Sequence, residues 1–338
     1  MTPSLAPLTR QRRPTLLIVG CGDVGMRVLR LLRGRHQLLA LTSSASRCAE
    51  LRAAGAAPLL GNLDQPATLG RLAGLADLVL HLAPPPSSGD SDPRTAALLK
   101  TLARGGRVQR LVYASTSGVY GDCGGERVSE TRNAAPATPR ALRRLDAEAR
   151  VRHFCRQTGC AVSILRVPGI YAVGREGGHP SDRLQRGAPV LVEADDVYTN
   201  HIHADDLARA CVLALHRALP QRVINVNDDT ELRMGDYFDL AAELCGLPRP
   251  PRVTRAQAAA MLSPMQISFM AESRRLCNRR LKKELGLRLL YPTVREGLLA
   301  PDSTDAAASR KCGSATFFDP RGGPNPHRVS ACALASGW

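Results

Sequence analysis

From Thr15 onward the chain alternates short apolar runs with stretches of helical periodicity, and this alternation restricts the fold more than any single residue does. TLLIVG, QLLALT, AAPLLG, ADLVLHLA, VQRLVYAS and CAVSILRV read as six successive strands. Between them, MRVLRLLR, SRCAELRAAG, TLGRLAG, PRTAALLKTLARGG and PRALRRLDAEARVRHFCRQTG read as helices. Near-continuous apolar strands separated by helices pair in parallel through crossovers, with both faces of the sheet covered. The expected class is therefore α/β, with a doubly wound parallel sheet.

After Val167 the rhythm changes. GIYAVGREGGHP is loop-like, APVLVE and VYTNHIH suggest short strands, HADDLARACVLALHRAL a helix and RVINVNDD a further strand. Segments 233–245 and 271–285 read as helices. The expected organisation is a Rossmann domain over 14–170 that also receives the helix and strand of about 203–228, and a smaller substrate lobe from 171–202 and 229–299. Residues 1–13 and 301–338 lack a periodic apolar face and are expected to be a disordered leader and tail.

Composition narrows the function classes. The formal charge of +16 comes mostly from scattered Arg, and aromatics are 4%, too few for base-stacking platforms. Direct nucleic-acid binding is not expected; a basic surface facing phosphorylated small molecules is. The ten cysteines show no paired spacing and no C-x-x-C, so they read as small reduced hydrophobes, with no metal site. No apolar run is long enough to span a bilayer and the first residues lack a signal-like apolar stretch, so no membrane partner and a cytoplasmic location are expected. Oligomeric state stays open, a homodimer included.

Gly20-Cys21-Gly22-Asp23-Val24-Gly25 is a G-x-G-x-x-G that directly follows a strand and opens a helix. In that context Gly20 permits a tight turn, Gly22 lets backbone approach a pyrophosphate and Gly25 allows helix-to-strand packing, while helix N-terminal amides meet the anion. The end of the second strand, where an NAD site places a carboxylate, holds Thr42, Ser43 and Ser44, and Arg47 follows. Without an anion to repel a 2′-phosphate, NADP(H) is preferred, with NAD(H) as the alternative. Asn62 and Leu63 follow the third strand and are placed at the adenine end; Leu82, Ala83 and Pro84 follow the fourth and are placed under the ribose and nicotinamide.

VYASTSGVYGD, residues 112–122, resembles the strand-five signature of extended and atypical short-chain dehydrogenases/reductases. Glu130-Thr131, Pro136 through Pro139, Arg166 through Tyr171 and Asn200 through Leu207 resemble further family segments, and residues 273–298 resemble the ending of an atypical bacterial branch. The similarity spans residues 15 to about 299 and implies an NAD(P)-dependent epimerase/dehydratase-like or reductase protein acting on a nucleotide-sugar or small carbonyl compound. It puts the catalytic hydroxyl on Thr116 and adds Ser115, Arg144 and Pro168 to the cofactor set.

One departure limits the implied chemistry. The family's Tyr-x-x-x-Lys pair sets a phenol and an ammonium one turn apart, and the alignment puts Arg140 and Arg144 in those two places. Arginine stays protonated in proteins and cannot exchange a proton as a phenol does. Tyr120, Tyr171, His201 and His203 are the candidates for a substitute proton carrier, against a structural role for each. Arg175, Arg183 and Arg186 could receive a substrate diphosphate. The alternative to an enzyme is an NADP(H)-binding sensor or scaffold that has lost the pair.

Overall fold

The computed structural model describes residues 13–175 and 177–300. The expected tail, and the expected leader apart from Arg13, lie outside the described residues. Each apolar run forms a strand: β1 (Thr15–Val19), β2 (Gln37–Thr42), β3 (Ala57–Leu60), β4 (Leu78–His81), β5 (Arg110–Thr116), β6 (Ala161–Val167) and β7 (Arg222–Asn225). They make one seven-stranded sheet in the order β7-β6-β5-β4-β1-β2-β3, with every pair parallel. β1 lies between β2 and β4, so the crossovers reverse direction there and open a crevice at the carboxyl ends of β1 and β4.

Strand alternation divides the core. Leu16 and Ile18 face α1 (Asp23–Leu32), the later-placed Ala204–Arg217 helix and α2 (Cys48–Ala53), packing with Val28, Leu29, Leu51 and Leu207. Leu17 and Val19 face α3 (Pro93–Ala103) and α4 (Pro139–Thr158), packing with Leu98, Leu102, Val151 and Phe154. α4 has clear boundaries in the sequence: Thr138 caps it, Pro139 opens it and Gly159 at φ 75° ends it in the left-handed conformation.

The helix after α5 (Ser181–Gln185) is α6 (Ala204–Arg217), started by His203, whose side chain accepts from the Asp205 amide. α7 (Met234–Cys245), α8 (Arg255–Met261) and α9 (Pro264–Met270) follow. A separate apolar cluster of Tyr171, Leu184, Val190, Leu191, Phe238 and Leu298 underlies the segments that follow β6. No helix among the described residues is long and apolar enough to cross a membrane.

Four expectations need correction. TLGRLAG is a 3-10 helix over Pro66–Leu72, since Pro66 opens it and Gly70 sits in its middle. The start of GIYAVG is a strand, Gly169–Tyr171, paired in parallel with His201–His203. Segment 271–285 is only partly helical: Arg275–Leu276 pairs with Arg127–Val128, and helix is confined to α10 (Arg279–Lys283). The cysteines are not all reduced, because Cys155 and Cys160 form a disulfide, with Cα atoms 4.6 Å apart. The Gly159 turn from α4 into β6 folds these two residues together, a juxtaposition that a spacing of five does not advertise.

Candidate functional site

The carboxyl ends of β1, β4 and β5 open into a cleft of about 910 Å³. Its floor is the turn after β1. Gly20 takes φ +83°, and a Cβ there would run into the backbone of Ala83, because the turn packs against the segment leaving β4, whose Leu82 and Ala83 amides donate to the Val19 carbonyl at 2.8 and 3.0 Å. A Cβ on Gly25 would sit 3.0 Å from Cys21 Sγ and 3.4 Å from Ile18, so this glycine sets how closely α1 lies on β1. Gly22 differs, since a Cβ there meets nothing within 4 Å. The α1 ladder begins with the Met26 amide donating to Gly22 O, which leaves the amides of Asp23, Val24 and Gly25 at the free helix end. This bare concave backbone fits the phosphates of a dinucleotide.

Gly20, Gly22, Asp23, Val24, Gly25, Leu82 and Pro84 all line this cleft, as do Ser115, Thr116, Arg140, Arg144 and Pro168. Other expected residues lie beside or behind it. Cys21 and Ala83 are buried, and burial pushes the Cys21 thiol up to about 11. Thr42, Ser43 and Arg47 stand past the turn at the end of β2, where Arg47 donates to the Cys21 carbonyl at 2.6 Å and to Glu50 at 3.0 Å. Asn62 and Leu63 are outside the cleft wall; Asn62 accepts from the Asp64 amide and Leu63 packs on the core.

At the β5 end, Thr116 lines the cleft and accepts from the Gly118 amide at 3.2 Å, which leaves its hydroxyl proton free to donate. Ser115 is committed elsewhere: it donates to Glu148 at 2.7 Å, and Glu148 is fully buried and takes two further bonds from Arg166 and one from Arg152. Arg144 donates to Ala114 O at 2.7 Å and to Tyr113 Oη at 3.2 Å, fixing α4 to the end of β5. Arg140 lies over the Phe269 ring at 4.3 Å. Burial lowers its pKa, Glu272 partly offsets this, and Arg144, Arg274 and Arg143 press it further down.

None of the substitute proton carriers lines this cleft. Tyr120 is buried and donates to Asn225 at 2.8 Å beneath the Arg166 guanidinium. Tyr171 is buried against Asp228 and the Thr293 carbonyl, and burial raises its phenol far above the usual range. Burial pushes His201 down to about 3, with its ring stacked on Tyr237 at 4.0 Å. Burial likewise lowers His203 to about 4 at the α6 cap. His81, buried and bonded to Thr95 at 2.8 Å, is a packed strand residue. The three lobe arginines are not gathered either: Arg175 lines the cleft and pairs with Asp23 at 2.8 Å, whereas Arg183 and Arg186 line a separate cavity of about 260 Å³.

Sequence reasoning also missed cleft residues. Arg143 stands one turn beyond Arg140, Thr138 caps the same helix, and Met265 and Ser268 come from α9. Arg27, beneath the turn, ties Asp23 to Asp205 and so links α1 to α6. The i,i+3 spacing of Arg140 and Arg143 was the available signal for Arg143.

The model of the NAD dependent epimerase/dehydratase family matches residues 16–227, the stretch that builds β1 through β7 and most of the cleft. The chain belongs to this family. A conserved protein of unknown function from Silicibacter pomeroyi is 32% identical to this family member, with a TM-score of 0.71 over 84% of this chain and 96% of that one. UDP-glucose 4-epimerase from Thermotoga maritima, solved with UDP-glucose, shares the fold at 19% identity and a TM-score of 0.69, covering 84% of this chain and 96% of that one. UDP-glucuronic acid 4-epimerase from Bacillus cereus, solved with NAD, does so at 16% identity and 0.67, with the same two coverages. No curated protein matches the sequence.

Proposed function

We propose that this family member binds a nicotinamide dinucleotide across the carboxyl ends of β1, β2, β4 and β5, prefers NADP(H) to NAD(H), and acts on a nucleotide-sugar or small carbonyl compound as an epimerase/dehydratase-like protein or reductase. The observation that carries the reading is Gly22, a backbone position with no protein atom within 4 Å of its Cβ direction, set beside three unladdered helix amides. The UDP-glucose in the Thermotoga structure and the NAD in the Bacillus structure support the substrate and cofactor classes. Arg47, bound to the carbonyl of Cys21 at the mouth of the turn, supports the 2′-phosphate preference.

A bound nicotinamide supplies hydride donor and acceptor chemistry. Thr116 offers its hydroxyl proton to the substrate oxygen. Arg144, held on Ala114 O, positions the ribose. Arg140 stays protonated and stabilises negative charge without exchanging a proton.

The sensor or scaffold reading has its own supporting observation: the cleft wall contains no Tyr, His, Lys or Cys among the described residues. Oxidation of NADPH against a panel of aldehydes and ketones, together with chromatographic analysis of UDP-sugars incubated with the protein and NADP+ for isomerised or dehydrated product, separates the two. Turnover that falls steeply in Thr116→Val, with cofactor affinity kept, supports the enzyme. Cofactor binding without turnover on any member of the panel supports the sensor.

A further inference from the structure

The first turns of α4 present three arginines to the cleft. Thr138 caps the helix by accepting from the Ala141 amide at 3.3 Å, Pro139 follows, and Arg140, Arg143 and Arg144 all line the cleft. Arg144 is accounted for by its bonds to Ala114 and Tyr113. The other two are not. Arg143 is 6% exposed and donates to the Gly89 carbonyl, yet its buried Nε has no hydrogen-bond partner. Arg140 rests on the Phe269 ring, and no described residue accepts a hydrogen bond from its guanidinium or pairs with it within 4 Å. Glu272 acts on Arg140 only at longer range and is ion-paired with Arg274 at 2.8 Å. Among the described residues the one carboxylate in the cleft wall is Asp23, which is occupied by Arg27 and Arg175.

Like charges crowded in a half-desolvated site destabilise one another, and a guanidinium with an unused donor is stabilised most by an anion that offers two oxygens to its fork. The phosphates of a dinucleotide belong at the Gly22 turn, on another element. We propose that Arg140 and Arg143 form a receptor for an anionic group of the substrate, a carboxylate or a phosphate, beside Thr116. The inference rests on the cofactor reading and narrows the substrate class to acids or phosphorylated compounds. It also gives Arg140 a use in the place where a phenol is missing: it anchors the substrate instead of exchanging its proton.

The test titrates malonate and, separately, inorganic phosphate into the full chain by calorimetry, with and without saturating NADPH. At least one anion should bind saturably to the wild type. Arg140→Gln and Arg143→Gln should each weaken it tenfold or more, while NADPH affinity stays within about threefold. Which anion binds more tightly tells a carboxylate substrate from a phosphorylated one. Thermal melts keep the test independent of folding defects: the anion should raise the wild-type Tm and leave that of Arg140→Gln unmoved. No saturable binding of either anion, or equal affinity in wild type and Arg140→Gln, overturns the receptor. Failure of NADPH to bind the wild type overturns the cofactor reading instead, and the anion titration of the cofactor-free chain still reads the receptor.

Discussion

Gly22→Val separates ligand loss from folding loss. Gly22 has φ −82° and ψ −154°, an extended backbone outside the left-handed region that favours glycine, and its Cβ direction is clear of protein atoms. The substitution should therefore change stability by under about 1 kcal/mol. Bound dinucleotide is another matter, because the valine side chain would fill the space through which a phosphate reaches the amides of Asp23, Val24 and Gly25. A hydrogen bond to a charged group contributes about 1.5–3 kcal/mol. Losing two of them removes about 3–6 kcal/mol, or a factor of about 10²–10⁴ in affinity. Calorimetry with NADPH and a urea melt on the same preparation read both quantities. Neighbouring positions provide the contrast: Gly20→Ala should fail at folding, since its Cβ meets Ala83, and Gly25→Ala should cost stability against Cys21 and Ile18. A Gly22→Val protein that melts as the wild type does and binds NADPH equally well would refute the reasoning.

Three further outcomes are expected. NADPH should bind more tightly than NADH; Thr42→Asp should reverse that order and Arg47→Ala should weaken NADPH alone, so fluorescence titrations that find no difference between cofactors in any of the three proteins dispose of the preference. Glu148→Ala should lower the unfolding free energy by about 3–5 kcal/mol, because it strands the buried Arg166 guanidinium and the Ser115 hydroxyl; a loss below about 1 kcal/mol in denaturant melts contradicts the buried cluster's role. Burial lowers the pKa of His81, His201 and His203, so the unfolded chain binds more protons below the ordinary histidine value of about 6.5, and stability present at pH 7 should fall as pH drops through that value toward about 3. His201→Phe, which keeps a ring on Tyr237, should flatten that slope, and an unchanged slope shows that His201 does not contribute to it.

What the sequence disclosed follows from the kind of constraint at each place. Parallel strands buried on both faces must be apolar almost throughout, so the central strands β1, β2, β4, β5 and β6 were visible as runs, and the turn at Gly20 was visible because only glycine meets its backbone geometry and close contact. Two-residue strands such as Arg127–Val128 carry no period to detect, and their pairing with Arg275–Leu276 is a tertiary event. Arg143 looks like any charged residue on a helix surface, and its burial depends on the segment after β4 reaching Gly89. The α8 and α9 segments, rich in Ala, Gln and Met, gave no sign that Met265 and Ser268 would reach the cleft. Tyr120, Tyr171, His201 and His203 were sensible acid-base types, yet packing turned each toward a partner outside the cleft.

A crystal structure with NADPH bound tests the central claim most directly. The account predicts the pyrophosphate on the amides of Asp23 through Gly25 and the nicotinamide beside Thr116 and Arg144, with Arg140 facing the space where a substrate would stand and no phenol or imidazole nearer. A dinucleotide bound away from the Gly20–Gly25 turn, or Tyr171 or His201 swung into the cleft opposite the nicotinamide, would contradict it.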